Sequence, residues 1–317
     1  MINPSKAKIK KPRIAIAGAT GRVGATLTAL LAADPIDLVA LTRQPSTARL
    51  PEGVIPFKVD FKRADTLEET LRGIDRLFIA HGTSLEQVAN EIALIDAAVA
   101  SGVRHIVKLS ALGPATRLLP IAWHMQIEAH LAQQPIASTV LRPSTFSHVL
   151  KRLGPHIAAG SWAGAAGNGR VNFIDTRDVA EVARIALLEE IEPASQRAYH
   201  LSGPRAWTMN QVAEELARLL GHPVTYVERS PAEQRGSARR RTCSARSRSF
   251  GWTRPNVPRV CDRRNDLDGR GTDRKGPTFV NGMVDRQPRR ISSVSSPSVG
   301  VPGSGVSLVP LAARQSA

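Results

Sequence analysis

Three glycines at equal intervals, Gly18, Gly21 and Gly24, stand in the run Gly18-Ala19-Thr20-Gly21-Arg22-Val23-Gly24. Gly18 would permit a tight turn, Gly21 a close approach of backbone to a pyrophosphate, and Gly24 close packing of a following helix. Free N–H groups where that helix begins, with Thr20, Arg22 and Val23 in the same turn, would face a negative charge. The spacing is G-x-x-G-x-x-G rather than G-x-G-x-x-G, so taken alone the triplet also fits a purely structural turn. Further on, Ala40-Leu41-Thr42-Arg43 ends an apolar run with no acid. An acid there would hold a ribose hydroxyl, whereas a cation accommodates an extra phosphate. Arg43 can grip a phosphate with two N–H groups, which favours NADP(H) over NAD(H) without excluding the latter. A solvated surface arginine is the other reading.

The elements needed to position these residues are present in the right order. Residues 13–18 (Arg-Ile-Ala-Ile-Ala-Gly) read as a buried strand, and Ala25–Ala32 as the start of a helix. Further strands are expected at Leu38–Thr42, Val54–Val59, Leu77–Ala80, His105–Leu109 and Ile136–Leu141. Between them, Asp65 is the expected N-cap of a helix ending at Gly73, and Ser84 with Gln87 forms a capping-box pattern. Residues 122–133 form the next helix. Strands alternating with helices at this spacing imply an α/β fold, a Rossmann-like doubly wound parallel sheet. Beyond it, a strand at 171–174, a helix from Arg177, a strand Tyr199–Ser202 and a helix capped by Thr208 and Gln211 make a smaller C-terminal substrate portion.

Composition narrows the class. The 317 residues include 42% hydrophobic ones, enough for a sizeable core. No apolar run is long enough for a membrane span, and the basic N-terminus is not followed by a secretory pattern, so a cytoplasmic protein is expected. Cys243 and Cys261 are too few for a disulfide framework or a thiolate metal cluster, and no metal is expected.

The order of motifs resembles the NmrA-like branch of the atypical short-chain dehydrogenase/reductase superfamily, in particular its NAD(P)H:quinone oxidoreductase-like and azoreductase-like members. The glycine run, Leu41-Thr42-Arg43 and Val59-Asp60 carry the resemblance. So do residues 102–110 (Gly-Val-Arg-His-Ile-Val-Lys-Leu-Ser), Leu141-Arg142-Pro143 with Phe146, Gly167-Asn168-Gly169-Arg170, and residues 173–180. It covers about residues 13–230 and implies that Asp60 meets the adenine edge. By the same resemblance Ala80, His81 and Gly82, and then Ser110 with Ala111, run beside the cofactor. Asp60 as a helix cap and Ser110 as a strand-end hydroxyl are the alternatives. Relatives commonly carry Asn where Val149 stands, so substrate choice is less defined.

Typical short-chain dehydrogenases use Tyr-x-x-x-Lys on the helix after the fifth strand as an acid–base pair. Here the only tyrosines are Tyr199 and Tyr226, and Pro120 falls where that Tyr would be. His124, four residues before Glu128, takes the place of the Lys or His of relatives and is the candidate catalytic residue. Hydride transfer to a quinone-like small acceptor needs no tyrosine, because the charge is delocalised and protonated from water; His124 would hydrogen-bond the acceptor oxygen. A helix-surface or cofactor-amide contact is its other role. The expected activity is therefore that of an NAD(P)H-dependent oxidoreductase. The competing reading is a non-catalytic NAD(P)-binding redox sensor that contacts another protein. A protein partner or homodimer is left open.

A seam follows Ser230. Up to it the chain has 26 Lys+Arg and 21 Asp+Glu; after it, 17 and 6, with arginine replacing lysine almost entirely. The expected division is a flexible basic N-terminus (1–12), an NAD(P)-binding domain (13–143), a substrate-side portion (144–230) and an Arg/Ser/Pro/Gly-rich tail (231–317). A shifted reading frame is the favoured account of that tail, ahead of native disorder and of anion binding; nucleic acid is not the expected partner.

Overall fold

The structure is a computed structural model that describes residues 11–61, 63–114, 117, 119–237 and the backbone of 307–310. The first 12 residues fall almost wholly outside these, as does most of the expected tail with both cysteines.

The six expected strands lie in order: β1 (Arg13–Ala17), β2 (Asp37–Thr42), β3 (Ile55–Lys58), β4 (Arg76–Ile79), β5 (His105–Leu109) and β6 (Ala137–Pro143). The helices among them are α1 (Arg22–Leu31), α2 (Ala64–Leu71), α3 (Gln87–Ala100) and α4 (Ile121–Leu131). An α-helix thus follows β1, β3, β4 and β5, and a short 3-10 turn at Pro45–Thr47 lies between β2 and β3. Then follow β7 (Thr145–Phe146), α5 (Gly154–Ala158), β8 (Ser161–Gly164), β9 (Val171–Ile174), α6 (Thr176–Leu188), β10 (Gln196–Ser202) and β11 (Ala206–Trp207). Helix α7 (Met209–Leu220), β12 (Thr225–Glu228), a helical turn at 231–237 and β13 (Ser307–Pro310) complete the described elements.

The main sheet has the order β3-β2-β1-β4-β5-β6-β10, seven parallel strands, with β13 antiparallel at the β10 edge. Strand order reverses between β1 and β4, the place where open α/β sheets bind ligands at the carboxyl ends of their strands. Alternate residues of each strand face opposite sides. Ile14, Ile16, Phe78 and Val107 pack with Val23, Leu27, Val179 and Ala183 of α1 and α6. Ala15, Leu77, Ile79 and Ile106 pack with Leu94, Ile95 and Ile127 of α3 and α4.

Residues 13–161 and 168–225 belong to one compact unit, and β10 is a full member of the main sheet. Two local expectations change. Asp65 does not cap α2: the cap is Arg63, and the Asp65 carboxylate accepts from its guanidinium at 2.7 Å. Ser84 likewise does not cap α3, which starts at Gln87 with Glu86 before it; the Gln87 side chain is buried and donates to Glu91 instead. The Thr208–Gln211 capping box forms as expected, and Gly221 ends α7 in the left-handed region.

A second unit joins 162–167 to residues from Tyr226 onward. Within it the Trp162 and Tyr226 rings lie 5.6 Å apart, and the Ala166 N–H donates to the Tyr226 hydroxyl. The expected tail thus begins with a helical turn at 231–237, and β13 is a strand; its remaining residues lie outside the described ones.

Candidate active site

The glycine loop is a main-chain device. Gly18 has φ +94°, and a Cβ there would come within 2.2 Å of the Ala80 carbonyl oxygen. A Cβ on Gly24 would meet the Gly18 carbonyl at 2.1 Å. The strand end, the helix start and the end of β4 are therefore closer together than side chains allow. Gly21 donates to the Gly18 carbonyl at 2.8 Å and stands as N-cap of α1, with no side chain over the helix end. The first N–H groups of α1, at Arg22, Val23 and Gly24, have no carbonyl four residues back in the helix. Such an end, with no acidic residue in its first turn, suits a phosphate. The cradle fits a dinucleotide pyrophosphate.

The other residues expected around a cofactor line the same edge of the sheet. Thr20 and Arg22 are exposed in the loop, while the Val23 side chain is core and can offer only its N–H. Arg43 and Asp60 are exposed just past β2 and β3. Ala80 follows β4 and donates its N–H to the Ala17 carbonyl. His81 is held: Nδ1 donates to the Gly82 carbonyl at 2.7 Å, Nε2 lies 3.2 Å from the Asn90 amide, and Phe61 packs edge-on against the ring. Gly82 is exposed.

Two strands along, at about 10 Å for two inter-strand spacings, side chains take over. Ser110, buried at the end of β5, donates its hydroxyl to Glu128. Glu128 also receives Arg142 of β6 through Nε at 3.0 Å and Nη2 at 2.5 Å. The Ser110 hydroxyl is thus committed to α4. One turn earlier on α4, His124 places Nδ1 3.3 Å from the Nζ of Lys108. Burial, together with the Lys108 charge, holds the His124 pKa down to about 3. Lys108 itself is fully buried and pairs with buried Glu91 at 2.9 Å.

His124 and Glu128 line a cavity of about 380 Å³ with Ala111, Leu112, Gly113, Ile121, Met125, Ala129, Ala132, Arg142 and His200. That volume falls in the range of small-molecule sites. Its wall is apolar apart from the two histidines and the mutually neutralised Glu128–Arg142 pair. Outside the cavity, a further histidine, His148, lies in the segment after β7 near the charges of Arg22, Arg152 and Lys151; burial first and then those charges lower its pKa.

Lys108, Glu91, Gln87, Arg142 and His200 were not singled out from the sequence as site residues. A lysine between the apolar residues Val107 and Leu109 of a central strand, and a Gln–Glu pair at i and i+4 on a core-facing helix, were the available signals. Among the described residues no group of three or more His, Cys, Asp or Glu could hold a metal ion, and no helix is long and apolar enough to cross a membrane.

A doubly wound sheet with a glycine cradle at its switch point and a ligand-sized cavity beside it defines a nucleotide-dependent α/β protein. The family model described as NAD(P)H-binding matches residues 18–190. The chain belongs to this NAD(P)H-binding family, in agreement with the resemblance to NmrA-like atypical short-chain dehydrogenases. It is 31% identical to an NAD(P)H azoreductase of Xenophilus azovorans over 220 residues, 68% of this chain and 76% of that one. It is also 31% identical to quinone oxidoreductase 2 of Escherichia coli (strain K12) over 227 residues, 69% and 79% of the two chains. The solved NADPH-dependent quinone oxidoreductase of Escherichia coli, in complex with NADPH, superposes with a TM-score of 0.64 at 28% identity, covering 76% of this chain and 83% of that one.

Proposed function

We propose that the protein is an NAD(P)H-dependent oxidoreductase that passes a hydride to a quinone-like acceptor, with NADPH preferred. The observation that carries this reading is that one parallel sheet holds both the glycine cradle, at its β1–β4 switch point, and the His124 cavity, lined by residues that follow β5, by α4 and by Arg142 and His200 of β6 and β10. The similar quinone oxidoreductase and azoreductase support the acceptor class.

When bound, the cofactor supplies a hydride from its nicotinamide. Gly18, Gly21 and Gly24 let the main chain approach the pyrophosphate, and the N–H groups of Arg22, Val23 and Gly24 meet its charge. Arg43 and Arg22, both exposed beside the cradle, serve the extra phosphate of NADPH. Asp60 serves the adenine edge, and Ala80, His81 and Gly82 the path between. The apolar wall at Leu112, Ile121 and Met125 receives a flat acceptor and excludes water. His124, uncharged at physiological pH, hydrogen-bonds the acceptor oxygen as negative charge grows there. A neutral imidazole is far too weak an acid to give up its proton, so the proton that completes reduction comes from water.

Rapid mixing of full-length protein with NADPH and then a simple quinone tests the proposal. Nicotinamide fluorescence reports binding and absorbance reports oxidation. Binding followed by quinone-dependent oxidation is expected; binding without oxidation would leave a nucleotide sensor, and no binding by folded protein would end both readings.

A further inference from the structure

Under the α3–α4 face lies a charged group that the reaction as described does not use. Lys108 is 0% exposed and Glu91 1%, in a layer otherwise filled by Leu94, Ile95, Ile106 and Ile127. An unpaired charge in such a place is strongly destabilising, and even a paired one gives little over an apolar pair of the same size. A stability role alone does not explain it. Its geometry does: the Lys108 ammonium is ion-paired with Glu91 at 2.9 Å and directs its protons to the Leu109 carbonyl and to His124 Nδ1 at 3.3 Å. Gln87 donates to the other Glu91 oxygen at 3.0 Å, fixing the carboxylate in turn.

An ammonium has protons to give and no lone pair to accept with. Toward Lys108, His124 Nδ1 can therefore only be a bare acceptor, and the ring's single proton must sit on Nε2. Resting on the reading that His124 meets the acceptor, we propose that Lys108, anchored by Glu91, is a positioning residue that locks His124 as a neutral Nε2–H donor, so that the cavity selects uncharged acceptors offering an oxygen or nitrogen lone pair.

The remaining polar groups around the ring agree with this selection. Glu128 on the same helix and Arg142 on β6 cancel each other, His200 comes from β10, and Glu91 is spent on Lys108. The described cavity wall therefore offers an acceptor two imidazoles, of which His124 is the one held by Lys108, and no unpaired carboxylate or guanidinium. A flat carbonyl or azo compound satisfies such a wall; a carboxylate or phosphate leaves its charge unmatched.

The test reads the ring directly. In uniformly ¹⁵N-labelled full-length protein, with the His124 signals assigned by their loss in His124→Gln, the Nε2–H tautomer is expected and should persist without titration from pH 5 to 8 (roughly the window in which an ordinary histidine charges). The double variant Lys108→Met/Glu91→Gln leaves no lone charge in the core. In it the Nδ1–H tautomer should appear beside Nε2–H, because nothing is left to fill Nδ1, while burial continues to hold the ring below the ordinary histidine value; turnover with a simple neutral quinone should fall about tenfold while NADPH affinity stays within about twofold. An Nδ1–H tautomer in the wild type, or ordinary titration there, overturns the proposal even if the double variant fails to fold. Unchanged turnover in His124→Ala overturns instead the reading that His124 touches the acceptor, and with it the purpose of the lock, whatever the tautomer.

Discussion

At the glycine loop the atoms that matter belong to the main chain: carbonyls at 18 and 80 that tolerate no Cβ, and helix N–H groups left without partners. Two strands away the work passes to side chains from four elements, Gln87 and Glu91, Lys108 and Ser110, His124 and Glu128, and Arg142. The first region depends on what is missing from the residues, the second on what each residue carries. The first should therefore fail sharply on adding a methyl group, and the second by degrees as individual partners are removed.

The sharpest break is Gly24→Ala. The added carbon would sit 2.1 Å from the Gly18 carbonyl, so the loop must move. NADPH affinity should drop about a hundredfold, roughly 3 kcal/mol, measured by fluorescence titration. Retained affinity would mean that the cradle is not the nucleotide site. On the side-chain half, Glu128→Ala strands Arg142 and Ser110 and should lower stability by about 2 kcal/mol in denaturant unfolding, with nucleotide binding retained.

Buried His105 gives the comparison a pH axis. It lies beside Thr139 at 3.0 Å, and burial, aided by the Arg76 and Arg197 charges, depresses its pKa to about 4. Above its unfolded value of about 6.5 both states are neutral and the full stability is present. As pH falls from there toward 4, the unfolded chain binds a proton that the folded ring refuses, and stability is lost by up to about 1.4 kcal/mol per pH unit. Thermal unfolding from pH 7 to 5 should show this slope, shallower in His105→Gln. Arg43→Ala should weaken NADPH about fivefold, or roughly 1 kcal/mol for an exposed charge contact, and leave NADH unchanged; equal loss for both would assign Arg43 a structural part. The smallest effect belongs to Met125, which is 41% exposed on the cavity wall. Met125→Ala should raise the KM for an apolar quinone about twofold, by loss of a small buried area.

The same contrast explains what could be read from the chain. Six strands, the glycine cradle and the helix carrying His124 were legible because each is local: a period, a cap or a spacing inside one short window. The capping of α2 and α3 was misread where a longer-range or competing partner intervened, as when Gln87 turned inward to Glu91. The lock on His124 was not legible at all, since Glu91, Lys108 and His124 meet only after three separate elements have packed. Likewise β10 joined the main sheet beside β6 although about fifty residues intervene, a pairing that no local window announces.

The packing of α6 on α1 also has a consequence in time. Val179 and Ala183 complete the layer that holds Val23 and Leu27, and Arg184 clasps Asp34 through two hydrogen bonds, at 2.7 and 2.5 Å, across 150 residues of sequence. At roughly 5–20 residues per second of synthesis, the nucleotide loop leaves the ribosome on the order of ten seconds before the helix that braces it. The loop is thus made well before the helix that covers the apolar flank of α1, Val23 and Leu27.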